Sequence, residues 1–301
     1  PILIGIPHLY EWAHPELVAH DHMLQHKAPY LNVPFFIARA AFYFGAWIFL
    51  AWRLNRWSLE QDQTGDVGLA RRMQLFSGPG ILVYAFTITF ASFDWIMSLD
   101  PHWFSTIFGL LILAGQGLAA FAFTIAALAA LADRQPLASV VDGSIYHDLG
   151  KLLLAFVMVW AYFSFSQFLI IYAGNLPEEI PFYIHRLGGG WQVVSLALVV
   201  LHFALPFVLL LSRDLKRNAR LLVPVALLVL FMRWVDLHWL VIPNFSPGEL
   251  SLRWMDVVAP VGIGGIWLFH YLGQLQTRAL IPPRDPYLEE SFEHVGHHET
   301  H

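Results

Sequence analysis

Seven apolar segments divide this chain, at about 34–53, 76–97, 105–131, 150–173, 188–211, 219–242 and 253–275. Each is close to the roughly 20 residues that carry a helix across a hydrocarbon core. The expected fold is therefore an all-α polytopic membrane protein, with residues 1–33 as an extramembrane segment, 34–275 as the helix bundle and 276–301 as a tail. Composition agrees: only 13% of residues are charged, against about a quarter in soluble domains. Those charges are bunched between the apolar runs, and twelve Trp suit anchoring at the membrane–water boundary. The absence of Cys excludes disulfides, thiolate-bound clusters and Cys-ligated zinc. A net charge of -5 does not suggest a nucleic-acid partner. The chain opens at Pro1 without Met, so residues 1–7 read as the end of a helix from a longer chain.

Lys and Arg are distributed unevenly. Twelve of the 17, among them Arg53, Arg56, Arg71, Arg72, Arg134, Lys216 and Arg278, fall on one set of loops and ends. Lys27, Arg39, Arg186 and Arg253 fall on the opposite set, and Arg233 lies inside the sixth segment. The positive-inside tendency makes the rich side cytoplasmic, with residue 1 outside and the C-terminus inside. Acidic and aromatic residues then collect at the outer face: the 93–104 turn, Glu178, Glu179, Glu249, and the ends of the sixth and seventh segments.

Ionisable groups this close to lipid are costly and need a reason. Arg233 lies about ten residues from the outer end of its helix and Asp236 about six, roughly 15 and 9 Å deep at the helical rise. Their i, i+3 spacing places them on one face, where they can pair. One reading is a neutralising intrahelical ion pair. The other makes Asp236, with Arg233 and His238, part of a proton path or quinone-headgroup pocket, tasks that suit groups able to exchange protons. Asp94 can face Asp236 or Asp256 across the bundle, in an outer pocket between the second, sixth and seventh segments, or serve as an interfacial hydrogen-bonder held by Trp95. Asp256 sits in a first helical turn, where the dipole favours a carboxylate and Arg253 is three residues away. Asp100 before Pro101 reads as a helix cap, and His102 as an interfacial His or outer relay.

Secondary candidates are weaker. His147 and Asp148 precede the fourth segment and can form an inner proton entry or a polar helix start. Gln167, with Ser164, Ser166, Thr87 and Thr89, can extend a polar ladder or bond to backbone. Haem needs axial ligands at matched depth; His202, His238 and His270 lie at three different depths, so no cofactor is expected on this chain. His22 and His26 share a helix face, but without a completing carboxylate a solvated helix is the better reading. The tail histidines His294, His297, His298 and His301 read as solvated or partner-facing.

Four stretches carry a family resemblance. They are Lys27-Ala28-Pro29-Tyr30-Leu31-Asn32 with Phe35, Phe36 and Arg39; the whole 93–104 turn; Trp160-Ala161-Tyr162-Phe163-Ser164-Phe165-Ser166-Gln167 with Ile171 and Tyr172; and Asn175-Leu176-Pro177-Glu178-Glu179. Together they resemble the ActF family of NrfD-like (polysulfide-reductase-like) membrane subunits of alternative complex III, a bacterial quinol:electron-acceptor oxidoreductase. The resemblance implies ten membrane helices in two four-helix bundles with flanking helices, seven of them present here. It implies a bacterial cytoplasmic membrane, residue 1 on the periplasmic side, and partners: an ActC-like membrane subunit, multihaem cytochrome c subunits and an iron–sulfur subunit. Haem c and iron–sulfur clusters would reside in those partners, with quinone or quinol as the small molecule. ActF-type subunits are viewed as scaffold and proton conduit, and ActC carries the better-attested quinol site. Two competing readings are a stand-alone secondary transporter, for which Gly78-Pro79-Gly80 would be a helix break, and a purely structural anchor.

Overall fold

The seven apolar segments all form helices in the computed structural model, which describes residues 2–246, 249–250 and 253–288. The tail histidines His294, His297, His298 and His301 lie outside the described residues. The spans are α1 (Val33–Thr64), α2 (Val67–Trp95), α3 (Phe108–Leu131), α4 (Gly143–Gly174), α5 (Trp191–Leu211), α6 (Ala219–Val241) and α7 (Trp254–Gln276). All seven are long and apolar enough to cross a membrane, and no strand occurs among the described residues. The protein is an all-α, multi-pass membrane protein.

Several helices outrun their apolar segments. At 32 residues, α1 is about 48 Å long, well over the roughly 30 Å hydrocarbon core. Its extra turns, Asn55 to Thr64, include Arg56, Leu59, Glu60, Gln61 and Gln63, which favour helix without lipid. A two-residue turn reverses the chain into α2: Gly65 takes φ 69°, and the Asp66 carboxylate caps the Gly68 N–H at 2.8 Å. The helix of α2 runs unbroken through Gly78-Pro79-Gly80, so the break that the transporter reading would place there is absent. Irregularity falls instead in α5, where Leu198–Ala204 is π-helical. Pro206 follows at once; it has no N–H to donate and its ring crowds the carbonyl four residues back, which a widened turn relieves.

The core lies among α3, α4, α5 and α6, where Leu118, Ile125, Leu153, Val157, Leu222 and Val229 are fully buried. Small residues on α3 admit neighbouring side chains. A Cβ on Gly109 would stand 2.4 Å from Thr89 of α2, and one on Gly117 2.2 Å from Phe156 of α4. The α1–α2 hairpin flanks α3. By contrast, α7 buries no residue; Trp267 and Tyr271 reach Phe123 of α3 at 5.0 and 5.3 Å between ring centroids.

The bundle has an Asp100 end and an Arg-rich end. At the Asp100 end, short helices Ile2–Leu9, Pro15–His20 and His22–Lys27 enclose a satellite core of Ile6, Tyr10, Trp12, Leu24, Leu31 and Phe36. Tyr10 Oη donates to the Trp95 carbonyl at 3.1 Å, and Lys27 Nζ to the Pro101 carbonyl at 2.6 Å. His22 and His26 lie on the exposed face of their helix.

Candidate functional site

Asp236 of α6 is almost completely buried, at 2% exposure. Arg233, one turn earlier, forms an ion pair with its Oδ2, and Trp160 of α4 donates Nε1–H to the same oxygen at 3.1 Å. The guanidinium has room because residue 115 of α3 is glycine: a Cβ there would stand 2.1 Å from Arg233 Cζ. A buried pair tolerates its desolvation only with added hydrogen bonds, and Trp160 Nε1 supplies one here. Gly115→Ala is expected to displace Arg233 and lower stability by about 1–3 kcal/mol, the usual overpacking cost. Thermal unfolding of the purified protein in lipid nanodiscs checks this; an unchanged midpoint would contradict the packing.

Beside this pair is a cavity of about 680 Å³. Leu111 of α3, Trp160, Gln167 and Phe168 of α4, Ser195, Leu198 and Phe203 of α5, and Asp236 and Trp239 of α6 line it. Tyr162, Phe165 and Val199 also line it and are themselves exposed, which puts its mouth on the outer surface of the bundle between α4 and α5. The walls are apolar and aromatic, with few polar groups. Gln167 accepts from Ser105 Oγ at 3.3 Å. Ser195 Oγ accepts from Trp239 Nε1 at 2.8 Å and donates to the Arg186 carbonyl at 2.9 Å. Tyr183, on the short helix Pro181–Leu187, also lines the cavity; burial pushes its hydroxyl up to about 12, so it is a neutral donor.

The structure divides the remaining expected residues. Asp94 does not turn to Asp236 or Asp256. Instead Arg39 of α1 grips it with two bonds of 2.9 Å, and Tyr43 Oη adds a third at 2.9 Å. An address between α2, α6 and α7 is likewise corrected: the cavity beside Asp236 is lined from α3 to α6, because α7 stands apart from the core. His238 lies between the Trp191 and Trp234 rings, 6.0 and 5.8 Å away, while Asp236 bonds to Arg233 and Trp160. Asp256 accepts the backbone N–H of Arg253 at 2.8 Å, a cap rather than a guanidinium pair. Asp100 holds the N–H groups of His102 and Trp103 at 3.3 Å, and α3 starts only at Phe108, so it caps a turn and not a helix.

At the Asp100 end His102 Nε2 meets Asp21 Oδ2 at 2.6 Å, and this bond holds the Asp21 carboxyl below its usual range. Asp148 pairs with Lys151 at 2.7 Å near the Arg-rich end, beside His147, whose Nδ1 is buried without a partner. Thr87 takes Trp47 Nε1–H at 2.8 Å and donates back to the Val83 carbonyl, as a helix-bonded Thr does. Glu178 is exposed and Glu179 half-buried. His202 sits in the π-helical turn, fully buried, 4.3 Å from the Trp160 ring, and neither ring nitrogen has a partner.

Two functional-looking arginines were not singled out by sequence. Arg39, read as an outer-side charge, is the partner of Asp94; its place five residues inside the 34–53 apolar segment is the signal. Arg186 is 1% exposed and donates to the carbonyls of Phe182, Trp239 and Leu240 and to Asn244 Oδ1. It thereby closes the C-terminal carbonyls of α6, as a cation at a helix C-terminus can. Burial lowers it to about 9.

Among the described residues no group of three or more His, Asp or Glu side chains is placed to hold a metal ion. Fold and site together define a multi-pass helical membrane protein with an apolar cavity, open at the bundle surface, beside a buried carboxylate–guanidinium pair. No protein-family model matches the chain, and a search of curated proteins finds no match.

Proposed function

We propose that this chain is an integral membrane subunit of a quinol-oxidising respiratory or photosynthetic electron-transfer complex. We propose further that it is the ActF-type, NrfD-like subunit of alternative complex III. The observation that carries this reading is the cavity beside Asp236: apolar, aromatic, open toward lipid, and ending on a buried carboxylate. A quinone combines an isoprenoid tail that partitions into lipid with a flat head bearing two oxygens. The apolar mouth suits the tail, and Trp160, Phe168 and Trp239 suit the ring. Gln167, Ser195 and Tyr183 suit the oxygens.

Oxidation of one quinol releases two electrons and two protons. Haem c and iron–sulfur clusters held by the partner subunits would supply the electron acceptors. This chain's part is to seat the head and accept one of the two protons on Asp236, with Arg233 moderating the charge and the second proton passing to solvent. An ActC-like subunit and the multihaem cytochrome subunits are the partners, with lipid around α7. The Arg-rich end faces the cytoplasm and the Asp100 end the periplasm of a bacterial membrane.

Photolabelling of the assembled complex with an azidoquinone tests this. Adducts are expected on α4 and α5 residues around Gln167 and Ser195, and Leu198→Trp, which fills the cavity, should abolish them. Labelling that is confined to other subunits, or insensitive to Leu198→Trp, would remove the quinone reading.

A further inference from the structure

We propose that the gap between α7 and the rest of the bundle, at the Arg-rich end, is a binding site for one anionic phospholipid. The inference does not depend on the quinone reading. A second cavity, of about 820 Å³, lies there. Trp52 and Asn55 of α1, Phe123 and Leu128 of α3, Gln274 of α7 and Arg278 just beyond it are among its walls. A groove of about 500 Å³ continues from it, sharing Trp52, Asn55 and Arg278 and adding Arg56.

Three observations identify the occupant. First, α7 buries no residue and is tied to the bundle by the Phe123 ring contacts and by Arg278 Nη1 donating to Asn55 Oδ1 at 2.5 Å. A helix so weakly packed needs something apolar beside it, and a diacyl lipid supplies that along the Phe123–Leu128 side. Second, the site straddles the level where α1 turns from apolar to charged: Arg56 lines its polar part, and Arg278 lies two residues past the end of α7. A headgroup belongs at that level, and Trp52, stacked 5.7 Å from the Arg56 guanidinium, is an interfacial anchor. Third, the charge is complementary. Arg56 and Arg278 outnumber Glu60, the acidic residue of the groove. Basic pockets between membrane helices bind anionic headgroups on this logic, and a guanidinium fork matches a phosphodiester. A zwitterionic choline head would bring a second cation to the same guanidiniums.

The test uses the purified full chain, delipidated in detergent and then given phosphatidylglycerol, phosphatidylcholine or glycerol 3-phosphate. Phosphatidylglycerol should raise the unfolding midpoint and survive as a bound adduct in native mass spectrometry. Phosphatidylcholine and glycerol 3-phosphate should do neither. Arg56→Gln with Arg278→Gln should weaken phosphatidylglycerol binding by roughly 30-fold, the effect of two cations at a membrane surface. Arg71→Gln with Arg72→Gln removes two exposed cations elsewhere at the same end and should leave binding unchanged. Equal effects of the two lipids, an equal effect of the soluble phosphate, or equal weakening in both double variants would each overturn the proposal.

Discussion

Arg39→Met is expected to destabilise the protein by about 3–5 kcal/mol, the cost of leaving a buried charge without its partner. Asp94 is 1% exposed and would lose both 2.9 Å guanidinium bonds, keeping only Tyr43. The damage would spread outward, because Arg39 also donates to the Tyr30 carbonyl at 2.8 Å and stacks on the Tyr30 and Phe35 rings. Those contacts tie α1 to the segment that carries the satellite core. A second substitution separates charge from packing. Asp94→Leu on top of Arg39→Met removes the stranded carboxylate and should recover most of the loss, since an apolar pair of similar volume is often as stable as a buried ion pair. A double-mutant cycle on thermal unfolding in nanodiscs reads the coupling directly. Additive losses, with no recovery in the double variant, would mean that the two residues do not act as a pair. The coupling also bears on the 93–104 turn: with Asp94 engaged by α1, the turn is anchored from the α1 side.

What the residues disclosed in advance depended on how locally each feature is encoded. The seven spans were legible because lipid demands continuous apolar runs, and their cores fall where those runs lie. The helical extensions 54–64 and 67–75 were not, since hydropathy reports the solvent and not the helix. Arg233 and Asp236 were legible because three residues apart on a helix fixes a shared face. Arg39 and Asp94 are 55 residues apart, and nothing local connects them. The glycines of α3 give no local sign of what they admit: Gly115 makes room for a guanidinium and Gly117 for a phenyl ring. The cavity was misplaced because it is built from side chains of four helices whose rotations sequence does not give. Pro206 was the available sign of the π-helical turn that carries His202 and lends Leu198, Val199 and Phe203 to the cavity wall.

Asp236→Asn, measured in the assembled complex, is expected to lower quinol turnover by about 100-fold or more, the contribution of a positioned proton acceptor. That result alone would not separate chemistry from structure. Neutralising Asp236 strands Arg233, which is 4% exposed, and a misfolded subunit also turns over slowly. Asp236→Asn with Arg233→Met separates the two. This double variant has no uncompensated buried charge, and Trp160 Nε1 can still donate to the amide oxygen as it does to Oδ2. Stability should return toward the parent value, while turnover stays low because no carboxylate remains at the base of the cavity. The opposite outcome, normal turnover in a stable double variant, would make the pair a neutralising device and leave the chain as a scaffold. Arg233→Met alone completes the cycle: it keeps the carboxylate but strands it, so it should lose stability while retaining more turnover per folded complex than Asp236→Asn. On the proposed function, stability should follow the balance of charge between the two residues and turnover should follow the carboxylate. Because the two readouts move differently across the three variants, the role of Asp236 can be decided even though each single change perturbs the fold.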